Sequence, residues 1–285
     1  MLILRHVSNG SPPDRTSARE VNRWCDEAGE VFARLLTDAV TRWIDWPGLG
    51  VFAFAPHARD VQVWPAADAR PEVIADTFAR VVQPAILQAL GWQAFHASAV
   101  VGPRGVLGFC GMAHSGKSTL AYVLPHVHPE LRQFGDDALV VSLDRQHGVV
   151  AHALPFTPRL RASSRQHFEW FEHAADRLRT AAMSSPVAVA ALFVLKQDEM
   201  LEGAPRMLRI SGVRAFSELL THAHCFDLED AGEARRIAED YLEIARRVPV
   251  FTITYRPDLE HLLDLVELVL NASDVTAADA MALVR

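Results

Sequence analysis

The sequence predicts an α/β domain that carries an N-terminal α+β elaboration. From about residue 93 onward, short apolar runs with strand spacing alternate with stretches of helical spacing, the pattern of an α/β protein. One apolar run leads directly into a glycine-rich loop and then into a helix. No segment has the composition of a linker, so we expect residues 1–70 to form an elaboration packed on the core and residues 71–285 to form the main domain.

The first 90 residues contain both kinds of periodicity. Residues 17–39 place apolar side chains at helical spacing behind a serine N-cap, and this predicts an amphipathic helix. Residues 43–64 have the pattern of short strands around two proline-containing turns, at 47–50 and 56–59. Helical spacing returns at 71–90.

The main domain continues with strands at 93–101 and 106–110, which a Gly-Pro-Arg-Gly turn joins. A helix at 117–124 follows the glycine-rich loop. Further strands are predicted at 132–134, 138–143, 149–154, 187–195, 207–210 and 250–255, and further helices at 214–220, 233–247 and 259–270.

Composition and charge narrow the class of protein. Of the 285 residues, 50% are hydrophobic and 22% are charged, which is typical of a soluble globular protein. The formal net charge of −7 argues against broad attraction to nucleic acid. The 3 cysteines, Cys25, Cys110 and Cys225, lie far apart with no disulfide framework and no CxxC motif, so a reducing cytoplasm is expected. We expect neither a nucleic-acid nor a membrane partner. The sequence is compatible with a homo-oligomer.

A phosphate-binding loop is the strongest motif in the chain. Residues 111–118, GMAHSGKS, fit GxxxxGK[ST] at every fixed position, between the predicted strand and helix that this motif requires. The backbone N–H groups of such a loop converge on phosphate oxygens, and the start of the helix adds partial positive charge. A glycine-rich turn that binds nothing is the alternative, but it needs no lysine. The predicted nucleotide-binding residues here are Gly111, His114, Ser115, Gly116, Lys117, Ser118 and Thr119.

Two further features stand near this loop in the sequence. Asp136 and Asp137 follow a strand-like segment, and paired carboxylates beside a phosphate loop can divide the holding of Mg²⁺ and the acceptance of a proton. A solvated Gly-Asp-Asp turn is the alternative, and the phosphate loop favours the functional interpretation. His96 lies in an apolar strand, where composition alone favours a hydrogen-bonded core residue over a catalyst.

Taken together, these motifs resemble the catalytic domain of HPr kinase/phosphorylase and its HPr-kinase-like relatives. The resemblance is strong over about residues 92–145, and the histidine stands 15 residues before the first loop glycine, as in that family. It continues weakly through 155–161 and 248–257. The residues that carry it are His96-Ala-Ser-Ala, Gly105-Val-Leu-Gly-Phe, the loop with Ser118-Thr119-Leu120, and Phe134-Gly135-Asp136-Asp137.

The resemblance implies a phosphoenolpyruvate-carboxykinase-like P-loop fold, with residues 71–285 as the catalytic domain. It implies Mg-ATP as the donor and a serine-type hydroxyl as the acceptor. By position, Lys117 and Ser118 would bind phosphate and magnesium. Asp136 would be the base, Asp137 the second magnesium partner, and His96 would lie near the transferred phosphate.

The sequence also departs from that family. We find neither the Glu-Ile-Arg-Gly-Leu-Gly stretch of true HPr kinases nor their separate N-terminal domain, so we do not expect HPr as the acceptor. The stand-alone relatives include kinases that phosphorylate the C-terminal serine of lasso-peptide precursors, and this chain resembles them in size and motifs. A peptide or small protein is therefore the expected acceptor. A small-molecule kinase and a non-catalytic ATP-binding accessory protein remain as alternatives.

Lesser signals complete the set of candidates. Arg159 and Arg161 are candidate phosphate clamps, although surface positions fit them equally well. Lys196, at the end of a buried strand, fits a solvent-facing strand end better than a catalytic role. The segment 222–225 (His-Ala-His-Cys) has metal-ligand residue types, but its ligands are too close in sequence to converge from a regular element, so no zinc site is predicted.

Overall fold

The computed structural model of the chain describes residues 2–8, 10–26, 28–56, 58–156, 185–227, 229–258 and 261–282. The chain divides into two compact units. The first comprises Met1–Ala94 and His224–Ile237, and the second comprises Phe95–Ala223 and Ala238–Arg285. The boundary predicted after residue 70 falls inside the first unit, which also takes in the helical stretch that follows.

A six-stranded sheet forms most of the first unit. Its strands lie in the order β1-β6-β5-β4-β3-β2, and all neighbours are antiparallel except β1 and β6, which are parallel. Alternate side chains of the inner strands, such as Val61 and Val63, are fully buried. The strands are β1 (Ile3–His6), β2 (Arg19–Cys25), β3 (Val31–Thr37), β4 (Arg42–Trp46), β5 (Gly50–Phe54) and β6 (Asp60–Pro65).

The prediction of a helix at 17–39 is wrong, because this segment forms the β2–β3 hairpin. Asp26 makes the turn, since its Oδ1 accepts the N–H groups of Ala28 and Glu30, each at 2.9 Å. In β3, Ala33 and Leu35 are fully buried two residues apart, which is the alternation of a strand. Val31 and Leu35 are four residues apart, and this spacing also fits a helix. Within the part of residues 1–70 that the structure describes, the predicted α+β elaboration is therefore all β.

Helices follow the sheet along the chain, as the spacing at 71–90 predicts. They are α1 (Pro71–Thr77), a π-helical segment (Phe78–Val82) and α2 (Gln83–Ala89). The strands predicted within 43–64 are also confirmed, as β4, β5 and β6. Their turns lie where proline and glycine place them.

The second unit contains a mixed sheet with a parallel centre. Strands β9, β13 and β15 are parallel neighbours, and β8, β10 and β14 extend the sheet antiparallel in the order β10-β8-β9-β13-β15-β14. β12 pairs with the first residues of β13, and β11 forms a hairpin with β12. The short strand β7 (Gln93–Phe95) ends at the first residue of this unit. The strands that follow are β8 (Ala97–Gly102), β9 (Gly105–Gly111), β10 (Arg132–Gly135), β11 (Leu139–Asp144), β12 (Gly148–His152), β13 (Val187–Gln197), β14 (Arg206–Ile210) and β15 (Val250–Tyr255).

A ladder of aromatic rings marks the core of this sheet. Phe193 of β13 is in register with Phe109 of β9 and Phe251 of β15, and it stacks on both rings at centroid distances of 5.7 and 5.4 Å. The predicted strands and helices of the main domain are confirmed in the described residues, with two differences. The strand predicted at 93–101 is interrupted at His96, and the helix predicted to end at 270 continues to Ala282. The helices are α3 (Lys117–Val127), α4 (Gly212–Leu220), α5 (Ala231–Arg247) and α6 (Leu262–Ala282). Across the described residues, no helix is both long and apolar enough to cross a membrane.

The direction of the central strands positions the site. Because β9, β13 and β15 are parallel, their carboxyl ends lie at one edge of the sheet, which is where ligands bind in open α/β sheets. The phosphate loop leaves β9 at this edge and ends where α3 begins at Lys117.

Candidate phosphate-binding site

The two fixed glycines of the loop each lie close to a side chain of the fold. A Cβ at Gly111 would lie 2.3 Å from the Ser115 Oγ atom, and a Cβ at Gly116 would lie 3.0 Å from the Tyr255 hydroxyl. Gly116 also has a φ of +75°, in the left-handed region that favours glycine. His114 shares this conformation at +69°. The motif's glycines are thus explained by contacts within the fold.

Lys117 lies inside the curl of the loop. Its Nζ atom donates to the carbonyl oxygens of Gly111 at 2.9 Å and Met112 at 2.8 Å, and the side chain is buried. Burial lowers the pKa of Lys117, and the nearby Asp136 and Asp137 oppose that shift in part. A buried amine held by neutral carbonyls can gain a charged partner when an anion binds.

A cluster of oxygen atoms lies next to the lysine. Asp136 Oδ1 accepts hydrogen bonds from Ser118 Oγ at 2.7 Å and from Ser98 Oγ at 2.8 Å, and the Asp137 N–H approaches it at 3.2 Å. Ser98 is fully buried, and Asp136 is nearly so. Hydroxyl and carboxylate oxygens are the ligands that Mg²⁺ prefers.

Asp137 is placed differently from its neighbour. Its φ of +66° turns the chain between the two carboxylates, and its side chain is half-buried, whereas Asp136 is 3% exposed. The pair therefore does not lie on a regular extended segment. Asp136 is the one that contacts Ser118, the hydroxyl predicted to hold magnesium.

His96 interrupts the sheet between β7 and β8, near the lysine. Its backbone N–H donates to the carbonyl of His222 at 2.7 Å. Burial is the main cause that lowers the pKa of His96, and the positive charge of Lys117 lowers it further. His222 is 7% exposed, and burial, Lys117 and His96 lower its pKa to about 4. Both imidazoles are therefore uncharged at neutral pH.

The remaining predicted residues fall into three groups. Ser115 is buried, and its Oγ has no hydrogen-bond partner in the part of the chain that the structure describes, while His114 is exposed and Thr119 is half-buried. Lys196 is exposed and pairs with Glu218 at 2.5 Å, as expected for a solvent-facing strand end. The two candidate clamps, Arg159 and Arg161, lie outside the described residues.

Sequence reasoning missed several residues of this site. Ser98 had a usable signal, because it follows His96 by two residues and so points to the same side of a strand. His222 was grouped with His224 and Cys225 as a metal-type cluster. Among the residues that the structure describes, no group of three or more His, Cys, Asp or Glu side chains is arranged to hold a metal ion.

Comparisons with known proteins give a distant likeness. No protein-family model matches the chain, and no curated protein sequence matches it. A solved structure of the Hpr(Ser) kinase/phosphatase from Coxiella burnetii is similar over 67% of this chain and 96% of that chain, at 14% sequence identity and a TM-score of 0.37. This chain is mixed α/β, and a likeness of that size supports no inference about its activity.

Proposed function

We propose that this chain is a kinase that transfers a phosphoryl group from Mg-ATP to a serine-type hydroxyl of a peptide or small protein. The observation that carries the proposal is the hydrogen bond between Ser118 and Asp136. It joins the loop expected to hold phosphates to a carboxylate on a separate segment, and both are needed for phosphoryl transfer.

The loop fits a chain of phosphates. Its lysine is buried within the curl, α3 begins at the loop and directs its N-terminus there, and the Ser115 hydroxyl is buried with no partner among the described residues. Such a hydroxyl can donate to a phosphate oxygen.

The oxygen cluster fits magnesium. Ser118 and Asp136 would hold the ion, which needs only one or two protein ligands when phosphates and water supply the rest. A bound Mg²⁺ would neutralise charge on the triphosphate. The sequence predicts Asp136 as the base and Asp137 as the metal partner. The contacts favour exchanging these roles, because Asp136 is the carboxylate bonded to Ser118 and Asp137 is the more accessible one.

The chain's own groups would then act as follows. The acceptor oxygen bonds to the γ-phosphorus, the bond from that phosphorus to the bridging oxygen breaks, and ADP leaves with the bridging oxygen. The hydroxyl proton passes to a carboxylate of the aspartate pair, in the exchanged assignment Asp137. Lys117 remains beside the phosphates as their positive partner. His96, which is uncharged, is expected to lie near the transferred group as a hydrogen-bonding partner.

The acceptor is proposed on the resemblance to HPr-kinase-like peptide kinases. A small-molecule kinase would use the same donor site. An accessory protein that only binds ATP would need no base, so the aspartate pair beside the loop argues against it.

The test is transfer of labelled phosphate from γ-labelled ATP to serine-containing peptides, read by mass spectrometry. Each peptide is paired with its Ser→Ala version, and each reaction with excess chelator. Labelled serine that disappears with either control supports the proposal. If the chain binds ATP but transfers phosphate to no peptide or small hydroxyl compound, the kinase proposal is wrong and the chain is an ATP-binding accessory protein.

A further inference from the structure

The phosphate loop is held at its apex by two side chains from neighbouring strands. Gln197 ends β13 and Tyr255 ends β15, and the two residues are register partners in the parallel pair. The Gln197 Nε2 atom donates to the carbonyl of His114 at 3.1 Å. The Tyr255 hydroxyl donates to the carbonyl of Ser115 at 2.5 Å. Two successive carbonyls of the loop are therefore fixed by side chains at the carboxyl ends of β13 and β15.

Fixing a carbonyl also fixes the N–H group that follows it, because the two point in opposite directions across a trans peptide. Tyr255 belongs to the apolar core, so the carbonyl of Ser115 points toward the core and the N–H of Gly116 points away from it. Gln197 holds the carbonyl of His114 and so fixes the direction of the Ser115 N–H. This N–H donates to the carbonyl of Met112 at 3.1 Å and closes a turn within the loop.

We propose that Gln197 and Tyr255 are positioning residues, a clamp in which Gln197 holds the turn of the phosphate loop and Tyr255 directs the N–H of Gly116 toward the phosphates of a nucleoside di- or triphosphate. The clamp rests on the proposed function, since it acts on the same loop. It adds two residues that belong to neither the phosphate-loop motif nor the aspartate pair. The two side chains also act together in space, because they are register partners and hold consecutive carbonyls of one loop.

The test measures ADP affinity by equilibrium binding, and unfolding without nucleotide, for four variants. Tyr255→Phe removes only the hydroxyl, and Gln197→Met keeps the side-chain length but removes the donor at an exposed position. The third variant combines both changes. Tyr241→Phe is the matched control, because it removes another buried tyrosine hydroxyl that is not part of the clamp.

The single variants should each weaken ADP binding by about 3- to 10-fold, the effect of one hydrogen bond. The double variant should lose less than the product of the two, because the side chains act together. Gln197→Met should unfold like the parent, and Tyr241→Phe should keep the parent's ADP affinity.

Parent-like ADP affinity in both single variants overturns the clamp. Weakened binding only in Tyr255→Phe, together with a lower unfolding midpoint, also overturns it, because the tyrosine would then be structural. If the parent chain itself binds no ADP, the proposed function fails and the clamp fails with it. The parent measurement therefore distinguishes the two failures.

Discussion

The backbone N–H of His96 donates to the carbonyl of His222 at 2.7 Å, which ties the break between two strands to the segment that follows α4. This contact brings two imidazoles within electrostatic reach of Lys117, and the pKa of each is lowered. Of these three nitrogen-containing side chains, the two imidazoles are the ones whose charged form the site disfavours most clearly, since burial and Lys117 both lower their pKa values. Among the residues that the structure describes here, Lys117 is therefore the cation that the loop presents to phosphates.

The lowered pKa of His222, about 4, makes stability depend on pH. Between about pH 6.5 and pH 4 the unfolded chain binds a proton that the folded chain does not, so stability is full above this window and falls as pH falls through it. His222→Gln should remove part of this dependence, on the order of 2 kcal/mol. Denaturant unfolding of the parent and variant at pH 7 and pH 4.5 measures the difference. His6→Gln, at an exposed histidine, is the control. If all three proteins lose the same unfolding free energy between pH 7 and pH 4.5, His222 is not the source of the pH dependence.

Lys117 and Lys196 are the two lysines of the chain, and they provide a matched pair of variants. Lys117→Ala removes the positive charge within the loop, so ATP affinity should fall at least about tenfold and transfer about a hundredfold or more. Lys196→Ala removes an exposed lysine whose carboxylate partner is Glu218, and should leave both quantities near those of the parent. Titration calorimetry and the transfer assay measure them. Parent-like ATP binding by Lys117→Ala would remove the basis for a phosphate loop.

The aspartate pair should divide its work unequally. If Asp136 holds the metal with Ser118, Asp136→Asn should raise the Mg²⁺ concentration needed for transfer, and high Mg²⁺ should restore part of the rate. If Asp137 is the base, Asp137→Asn should still bind Mg-ATP while single-turnover transfer falls about 10²- to 10⁴-fold. Mg²⁺ titrations and single-turnover kinetics of both variants decide the matter. The reverse pattern would return the base to Asp136, as the sequence predicts.

The elements around the loop were predictable because their signals are local. The strand ending at Cys110, the turn at 102–105 and the start of α3 each follow from neighbouring residues. The hairpin at 19–37 was missed because an irregular apolar spacing fits a helix until Asp26 is seen to close a turn. Tyr255 and His222 could not be assigned to the site from the sequence. Long-range contacts place them there, the pairing of β13 with β15 for Tyr255 and the hydrogen bond to His96 for His222, and no short motif encodes such contacts.

Gly116 and Gly148 have nearly the same φ, +75° and +77°, but different surroundings. A Cβ at Gly148 meets nothing within 4 Å, so Gly148→Ala should cost only the left-handed backbone, about 1 kcal/mol in unfolding free energy. At Gly116 the new methyl group would also press on the Tyr255 hydroxyl at 3.0 Å, whereas the ring carbon behind that hydroxyl lies at 4.0 Å. Gly116→Ala should therefore cost about 1 kcal/mol more.

Removing the hydroxyl should remove that extra cost. In a Tyr255→Phe background the nearest atom to the new methyl group is the ring carbon, which is at ordinary contact distance. The effect of Gly116→Ala on unfolding free energy should then fall to that of Gly148→Ala, and a double-mutant cycle from denaturant unfolding measures the coupling. Additive effects of the two changes would mean that the methyl group and the hydroxyl do not meet. The glycine would then be required for backbone conformation alone.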